Sequence, residues 1–338
     1  MMSRLYTRLF TQSSGLLRED GAALVTVMLL VAMMSSVAVI AFDQIGAAVR
    51  SVTAETQKAQ AKRYALGGEV LAQDMIGQIA DLPVAMQSVE QSVSYPVSGG
   101  AISGSLQDAS NCFNINSLVT RDGRGGFSAD QRSAEEYGRL LQSLGITGTL
   151  QMTLVSSLVD WMDTDRQPGP LGAEDAAYSA LPEPYRAANT PMVDVSEIRL
   201  VKGYTKALQS QLLPYLCVGE IGMPAPYNLQ SMQAHHTPIL MSLLGDRITQ
   251  SEAQQLITRH GGAGRTDHIS SFWRDDAFRN IEISQQTRTR LGLIPTRFGV
   301  RITVSYGDVT LGLRSEFLQT SGGAVKLVSR RYMGGAKA

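Results

Sequence analysis

Residues 22–42 read AALVTVMLLVAMMSSVAVIAF, an apolar run without a single charged side chain. As a helix it spans roughly 30 Å, the hydrocarbon core of one bilayer. The helical pattern continues beyond it. No proline occurs between Ala22 and Leu82, alanine is frequent from Ala47 to Ala80, and Ile45, Val49 and Val52 keep helical spacing. One long helix is predicted to about residue 80, weakened at Gly67 and Gly68. Pro83 and the Gly-rich stretch 92–110 break it, and residues 101–106 suit a strand. Alternation of period two then dominates the C-terminal end. Phe298, Val300, Ile302, Val304 and Tyr306 alternate with small or polar residues, Gly307 and Asp308 make a turn, and Val309, Leu311, Leu313 and Phe317 continue the pattern. A second turn at residues 321–323 leads into 325–332. This is a three-stranded antiparallel meander with one buried face.

Between these parts the pattern is helical, with predicted segments at 129–144, 150–161, 195–216 and 249–260. An α+β fold follows, in which a helical block at 121–285 interrupts a β scaffold. The chain divides into a leader (1–21), an apolar helix (22–42), its polar continuation (43–80), a first scaffold part (81–120), the inserted block, and the closing meander (286–338). Within the block, three apolar stretches end at Gly145, Gly203 and Gly245, each followed by a second helical stretch. This is helix–hairpin–helix grammar. Such hairpins can bind nucleic-acid phosphates, or they can simply pack.

Charge argues against the nucleic-acid reading. Lys+Arg is 30 and Asp+Glu is 30 in 338 residues, and apart from Arg199, Lys202 and Lys206 the hairpins lack basic clusters. A membrane-anchored nucleic-acid-binding protein is therefore the alternative, not the main reading. Apolar residues make up 43% of the chain, enough for a packed core.

Arg4, Arg8 and Arg18 precede the apolar run, which orients the N-terminus to the cytoplasm and the bulk of the chain outward. The run is too long for an ordinary secretory signal. A short hydrophilic leader ending in glycine before a long apolar helix resembles the type IV prepilin-like proteins. That resemblance implies cleavage between Gly21 and Ala22 by a prepilin peptidase, followed by methylation of Ala22. Family members usually carry Glu at position five of the mature chain; here that position is Thr26. A buried ammonium needs a carboxylate nearby, so a subunit with nothing above it can do without one, which suits the tip of a fibre.

One loop carries the candidate chemistry. In LVDWMDTDRQPGPLGAEDAAY, residues 158–178, the acids Asp160, Asp163, Asp165, Glu174 and Asp175 crowd together. Asp163, Asp165, Gln167 and Glu174 match positions one, three, five and twelve of an EF-hand loop, but Pro168 stands where that loop needs glycine. The stretch is either an irregular calcium loop or a solvated acidic loop. The DW-x-D-x-D core, the GAED-x-x-Y run, PYRAANTP-x-x-x-VSEIRLVKG (184–203) and CFNINSL (112–118) together resemble the minor pseudopilin K family of type II secretion systems. The resemblance implies a pilin-like helix on a small sheet with an inserted all-α domain. It also implies structural Ca²⁺, one or two ions, with Asn189, Asp194 and Glu197 as further ligand candidates. The implied partners are the minor pseudopilins I and J, the pseudopilus fibre, the inner membrane, and the secretin or exported cargo. Asp194 or Ser196 could instead cap the helix that follows.

Other constellations carry little. His235 and His236 are adjacent and so point to different faces, and His260 and His268 stand apart. No G-x-S-x-G, P-loop or H-E-x-x-H motif occurs, so no catalysis is expected. Cys112 and Cys217 form either one disulfide, which an oxidising compartment favours, or two buried thiols.

Overall fold

The computed structural model describes residues 20–79, 91–320 and 323–334. The leader up to Glu19 and the stretch containing Pro83 lie outside the described residues. By their contacts, residues divide into two compact units, Met1–Gln57 and Lys58–Ala338.

Helix α1, Asp20–Ile79, is a single uninterrupted element. Gly21 and Ala22 lie in its first turn. In the first unit Leu24, Met28, Val31, Val39 and Phe42 are all exposed, and an 18-residue window reaches a mean hydropathy of 2.5. Among the described residues α1 is the one helix long and apolar enough to cross a membrane. The weak point expected at Gly67 and Gly68 is absent. A Cβ on Gly68 would sit 3.2 Å from Ile302 Cδ1, so this glycine lets the helix lie close on the sheet, and packing offsets its low propensity.

In the second unit a five-stranded antiparallel sheet is built from β1 (Gln91–Val97), β2 (Gly100–Asp108), β3 (Arg297–Tyr306), β4 (Val309–Gln319) and β5 (Val325–Gly334), in that order. The expected meander is β3–β4–β5. The additional strand β1 falls where the Gly-rich composition suggested only a break; Pro96 is tolerated there because β1 is an edge strand. Alternation buries Val300, Ile302, Val304, Leu313 and Phe317 against Ala61, Ala65 and Ile76 of α1. Glu69 of the same helix face is also buried, and accepts hydrogen bonds from Ser315 and from Arg330 of the edge strand β5.

Residues 109–296 leave the sheet at the end of β2 and return at the start of β3. The two crossings are side by side, since Asp108 pairs with Phe298 in the β2–β3 register, so a large insertion leaves the sheet intact. The junction is densely bonded. Ser110 Oγ accepts from the amides of Thr296 (2.9 Å) and Arg297 (3.1 Å), and Asn111 and Asn228 exchange reciprocal amide–backbone bonds at 2.9 Å. Cys112 and Cys217 form a disulfide across 105 positions.

The insert is mainly helical: α2 (Gln131–Ser143), α3 (Gly148–Met162), α4 (Asp175–Ser179), α5 (Lys206–Leu212), α6 (Thr237–Leu244) and α7 (Gln250–His260), followed by shorter turns. Asp130 caps α2 by accepting from Ser133 N at 2.8 Å, and a capping box of Thr249 and Glu252 opens α7. Gly145 and Gly245 take the left-handed turns after α2 and α6, at φ 81° and 69°. The helix expected over 195–216 is instead two 3-10 turns, Val195–Leu200 and Leu213–Tyr215, flanking α5. Gly203 at φ 91° and Pro214 break the continuity that the apolar spacing suggested.

A buried carboxylate cluster at the end of a helix

Helix α3 is buried along Leu154, Leu158 and Met162, and this packing carries Asp160 and Asp163 inward with it. Asp163 is the C-cap, and its amide donates to Val159 O at 2.9 Å. The chain then forms a loop that returns to the same spot at Glu174, the residue preceding α4. Oxygens of Asp163, Asp165 and Glu174 all lie within 4.8 Å of one another. These are positions one, three and twelve of the spacing noted in the sequence, although α4 has only five residues and the flanks are not those of an EF-hand.

Asp160 shapes the loop. Its carboxylate accepts from Gly169 N at 3.1 Å and from Ala173 N at 2.7 Å. A Cβ at Gly172 would stand 1.9 Å from Asp160 Oδ2, so only glycine allows the loop to close over this carboxylate. Leu171 takes the left-handed region, at φ 65°. Lys202 Nζ donates to the carbonyls of Leu171 (3.4 Å) and Gly172 (3.0 Å) from outside. Trp161, Tyr178 and Tyr185 form an aromatic wall with ring centroids 5.2–6.2 Å apart.

Asp163 and Glu174 are each 5% exposed. Asp163 Oδ1 and both carboxylate oxygens of Glu174 have no hydrogen-bond partner. Buried anions are normally hydrogen-bonded or paired. Burial, then the charges of Asp165, Asp160 and Glu174, push Asp163 up to about 7. Burial, then Asp160 and Asp165, push Glu174 up to about 7. Burial also raises Asp160, against its two backbone amides. A further orphan, Asn189 Oδ1, belongs to a residue strained to φ 47°, whose amide donates to Trp161 O at 2.9 Å at the end of α3. Asp163, Asp165 and Glu174 therefore form a set of hard oxygen donors that could hold a divalent cation, and Asn189 is tied by its backbone to the same end of α3.

The other sequence candidates have different partners. Asp175 accepts from Ala187 N at 3.0 Å. Asp194 caps the Val195–Leu200 turn through Ser196 N at 2.8 Å and pairs with Arg331 of β5. Glu197 completes that capping box, accepting from Val193 N (2.8 Å) and Asp194 N (2.9 Å). The sequence showed Lys202 only as part of a small basic patch, not as a donor to this loop, and it did not show the aromatic wall; the tyrosines at 178 and 185 were the available signal. The histidines stay apart from the cluster. Contrary to the expectation that they point to different faces, His235 and His236 lie in one 3-10 turn with ring centroids 3.8 Å apart, and His260 pairs with Asp275 at 2.9 Å.

The fold and its site define a class: a pilin-like helix on a meander sheet, interrupted by a helical domain that carries a buried carboxylate cluster. Comparison with known proteins agrees. Residues 111–220 match the family described as type II secretion system protein K. A type II secretion system protein K from Pectobacterium carotovorum subsp. carotovorum is 31% identical, covering 94% of this chain and 97% of that protein. One from Klebsiella pneumoniae is 32% identical, covering 93% and 97%. One from Pseudomonas aeruginosa is 29% identical, covering 89% and 87%. The fold is similar to the crystal structure of the GspK-GspI-GspJ complex from the enterotoxigenic Escherichia coli type 2 secretion system, with a TM-score of 0.66 at 20% identity, over 83% of this chain and 100% of that one. The chain belongs to the type II secretion system protein K family.

Proposed function

We propose that this chain is the tip-forming minor pseudopilin of a type II secretion pseudopilus. Its leader would be removed after Gly21 by a prepilin peptidase, Ala22 methylated, and the apolar half of α1 held in the inner membrane, with the remainder in the periplasm. It would assemble with the minor pseudopilins I and J to start the fibre that drives protein export. The chain is a subunit and not an enzyme in this reading.

The single observation that carries the proposal is the insertion of residues 109–296 between the paired strands β2 and β3. Fibres of this kind pack subunits side by side through their helices. A second domain of this size on the sheet is compatible with the last position, where no further subunit has to fit. Thr26 supports the same placement. Its hydroxyl donates to Ala23 O at 2.9 Å, and it offers no carboxylate to the ammonium of another subunit.

Calcium is the second part of the proposal. Asp163, Asp165, Glu174 and Asn189 would hold one ion, and the lone pairs without partners support this. Bound calcium would neutralise the crowded carboxylates and tie the 163–174 loop to the end of α3, stabilising the insert by mass action.

Both parts are tested with the full chain in neutral detergent. Mixed with pseudopilins I and J of its own system, it is expected to elute as one complex holding one copy of each; failure to form it would overturn the tip assignment. Terbium, a calcium stand-in, is expected to luminesce on excitation of the nearby Trp161 and to be displaced by calcium. Absence of that signal in the folded chain would refute the calcium site and leave the complex untouched.

A further inference from the structure

The sheet face turned away from α1 carries a row of arginines. Arg301 pairs with Arg314 in the β3–β4 register, and Arg314 with Arg331 in the β4–β5 register. Their sequence neighbours Val300, Ile302 and Leu313 pack against α1, and Arg330 bonds Glu69 of α1. Alternation therefore puts the three arginines together on the opposite face. The same row continues through Ser105 of β2 and Ser92 of β1. The row beside it is Ser94, Ser103, Thr303 and Gly312. That second row ends on β5 at Met333, whose side chain lies beside Gly312, so three guanidinium groups stand at one end of the face and short side chains at the other, over β1 and β2.

Like charges directly opposed across strands destabilise a sheet, and the chain as a whole, at zero formal charge, carries no excess of positive charge. Neutralisation within the chain is incomplete. Arg331 pairs with Asp194. Arg314 reaches Glu316 only at 4.0 Å, and that carboxylate is shared with Arg297. Arg301 is exposed, with no ion pair among the described residues. Arg314 and Arg331 keep side-chain exposures of 49% and 48%.

We infer that this face is a docking surface for a helix of a partner protein bearing a stripe of carboxylates, laid across the strands. The spacing carries the argument. Neighbouring strands stand about 4.8 Å apart, and acidic side chains three and four residues apart on a helix stand about 5–6 Å apart. Successive acids therefore meet successive arginines. The full row spans about 19 Å, the length of a helix of about 13 residues. The serines let that helix approach closely where it crosses β1 and β2. Discrete carboxylates suit the site better than a continuous anionic surface, because Asp194 and Glu316 interrupt its positive charge. Three arginines are also few for a grip on nucleic acid. The inference is independent of the fibre-tip reading and of calcium.

The test is a fluorescence-anisotropy titration of the full chain in neutral detergent. The probe is a labelled, alanine-rich helical peptide with glutamates spaced four, three and four residues apart, beside its glutamine counterpart. Saturable binding by the glutamate peptide is expected, about tenfold weaker for the glutamine peptide and about tenfold weaker for Arg301→Gln with Arg314→Gln. The charge reversal Arg301→Glu with Arg314→Glu is expected to bind a lysine version of the peptide instead. That swap separates a charge-reading site from a misfolded variant, and unchanged melting of each variant completes the control. Equal binding of the glutamate and glutamine peptides would overturn the inference. So would displacement of the probe by monomeric dihexanoyl-phosphatidylglycerol or by duplex DNA at concentrations below those of unlabelled glutamate peptide.

Discussion

Asp163 and Glu174 bring their carboxylates together from opposite ends of one loop, both buried, with Asp163 Oδ1 and both oxygens of Glu174 lacking hydrogen-bond partners. Without a cation such an arrangement opposes folding, because two desolvated acids repel each other. With one, the same repulsion becomes a binding site.

Asp163→Asn with Glu174→Gln is therefore expected to have opposite effects in chelator and in calcium. In chelator at neutral pH the double variant melts higher than the parent, because the repulsion is gone. In calcium the parent gains about 2.7 kcal/mol at a hundredfold excess over its dissociation constant, and the variant gains nothing. Paired melting curves decide; a variant still stabilised by calcium would exclude these two ligands.

The pH dependence has a definite sign. Burial raises both acids from 3.8 and 4.5 to about 7 in the folded chain. A carboxyl whose folded pKa is raised contributes stability below its unfolded pKa and loses it as pH rises through the folded one. The calcium-free parent should lose stability relative to the double variant between about pH 4 and pH 7. Calcium affinity should rise over the same interval, since ionised carboxylates are the ligands. Calorimetry at several pH values checks both slopes; pH-independent affinity would contradict the assignment.

Gly172→Ala introduces a methyl group 1.9 Å from Asp160 Oδ2. The loop must open to admit it, at a cost of about 1–3 kcal/mol. Weaker terbium binding with an unchanged helical circular dichroism spectrum is the expected result. Unaltered binding would show that Asp160 does not hold the loop closed.

Reduction or Cys112→Ser with Cys217→Ser should lower stability by about 2–5 kcal/mol, as expected for a closed loop of this length. The disulfide joins residues close to the sheet junction, where Arg297 also bonds Val218 O and Glu316. Denaturant titration with and without reductant measures the loss. Coincident curves would mean that the polar junction suffices.

Arg330→Met leaves Glu69 buried beneath the sheet with only Ser315 as partner. A cost of about 2–3 kcal/mol is expected, discounted from a fully buried pair because Arg330 is half exposed. Adding Glu69→Gln should recover most of it. Denaturant melts of the single and double variants form the test, and additive losses would show that the two residues do not interact.

The elements with strong periodic patterns were legible in the chain. Helix α1 follows from a long apolar run continued without proline to residue 79, and the meander β3–β5 from alternation of period two. The segments that became α2, α3 and α7 were placed within a few residues from their helical pattern, and in the structure Asp130 and Thr249 cap α2 and α7. Shorter stretches were not legible. Residues 195–216 hold apolar spacing for a helix, yet Gly203 and Pro214 divide them, and β1 hides in a short stretch that holds Ser92, Ser94 and Pro96. The acidic loop stood out by composition alone, but composition treated its acids as equivalent.

Separating those acids required the folded chain. Local chemistry, namely hydropathy, turn residues and caps, acts over a few positions, so it already sets α1, the meander and the crowding of charge at 160–175. Which carboxylates remain without a partner depends on residues brought in from elsewhere. Gly169 and Ala173 supply amides to Asp160, Ala187 to Asp175, and Arg331 of a distant strand pairs with Asp194. The disulfide, the Glu69–Arg330 pair and the arginine row arise in the same way. They depend on strand register and on the return of residue 298 beside residue 108, relations between segments that no short-range pattern encodes.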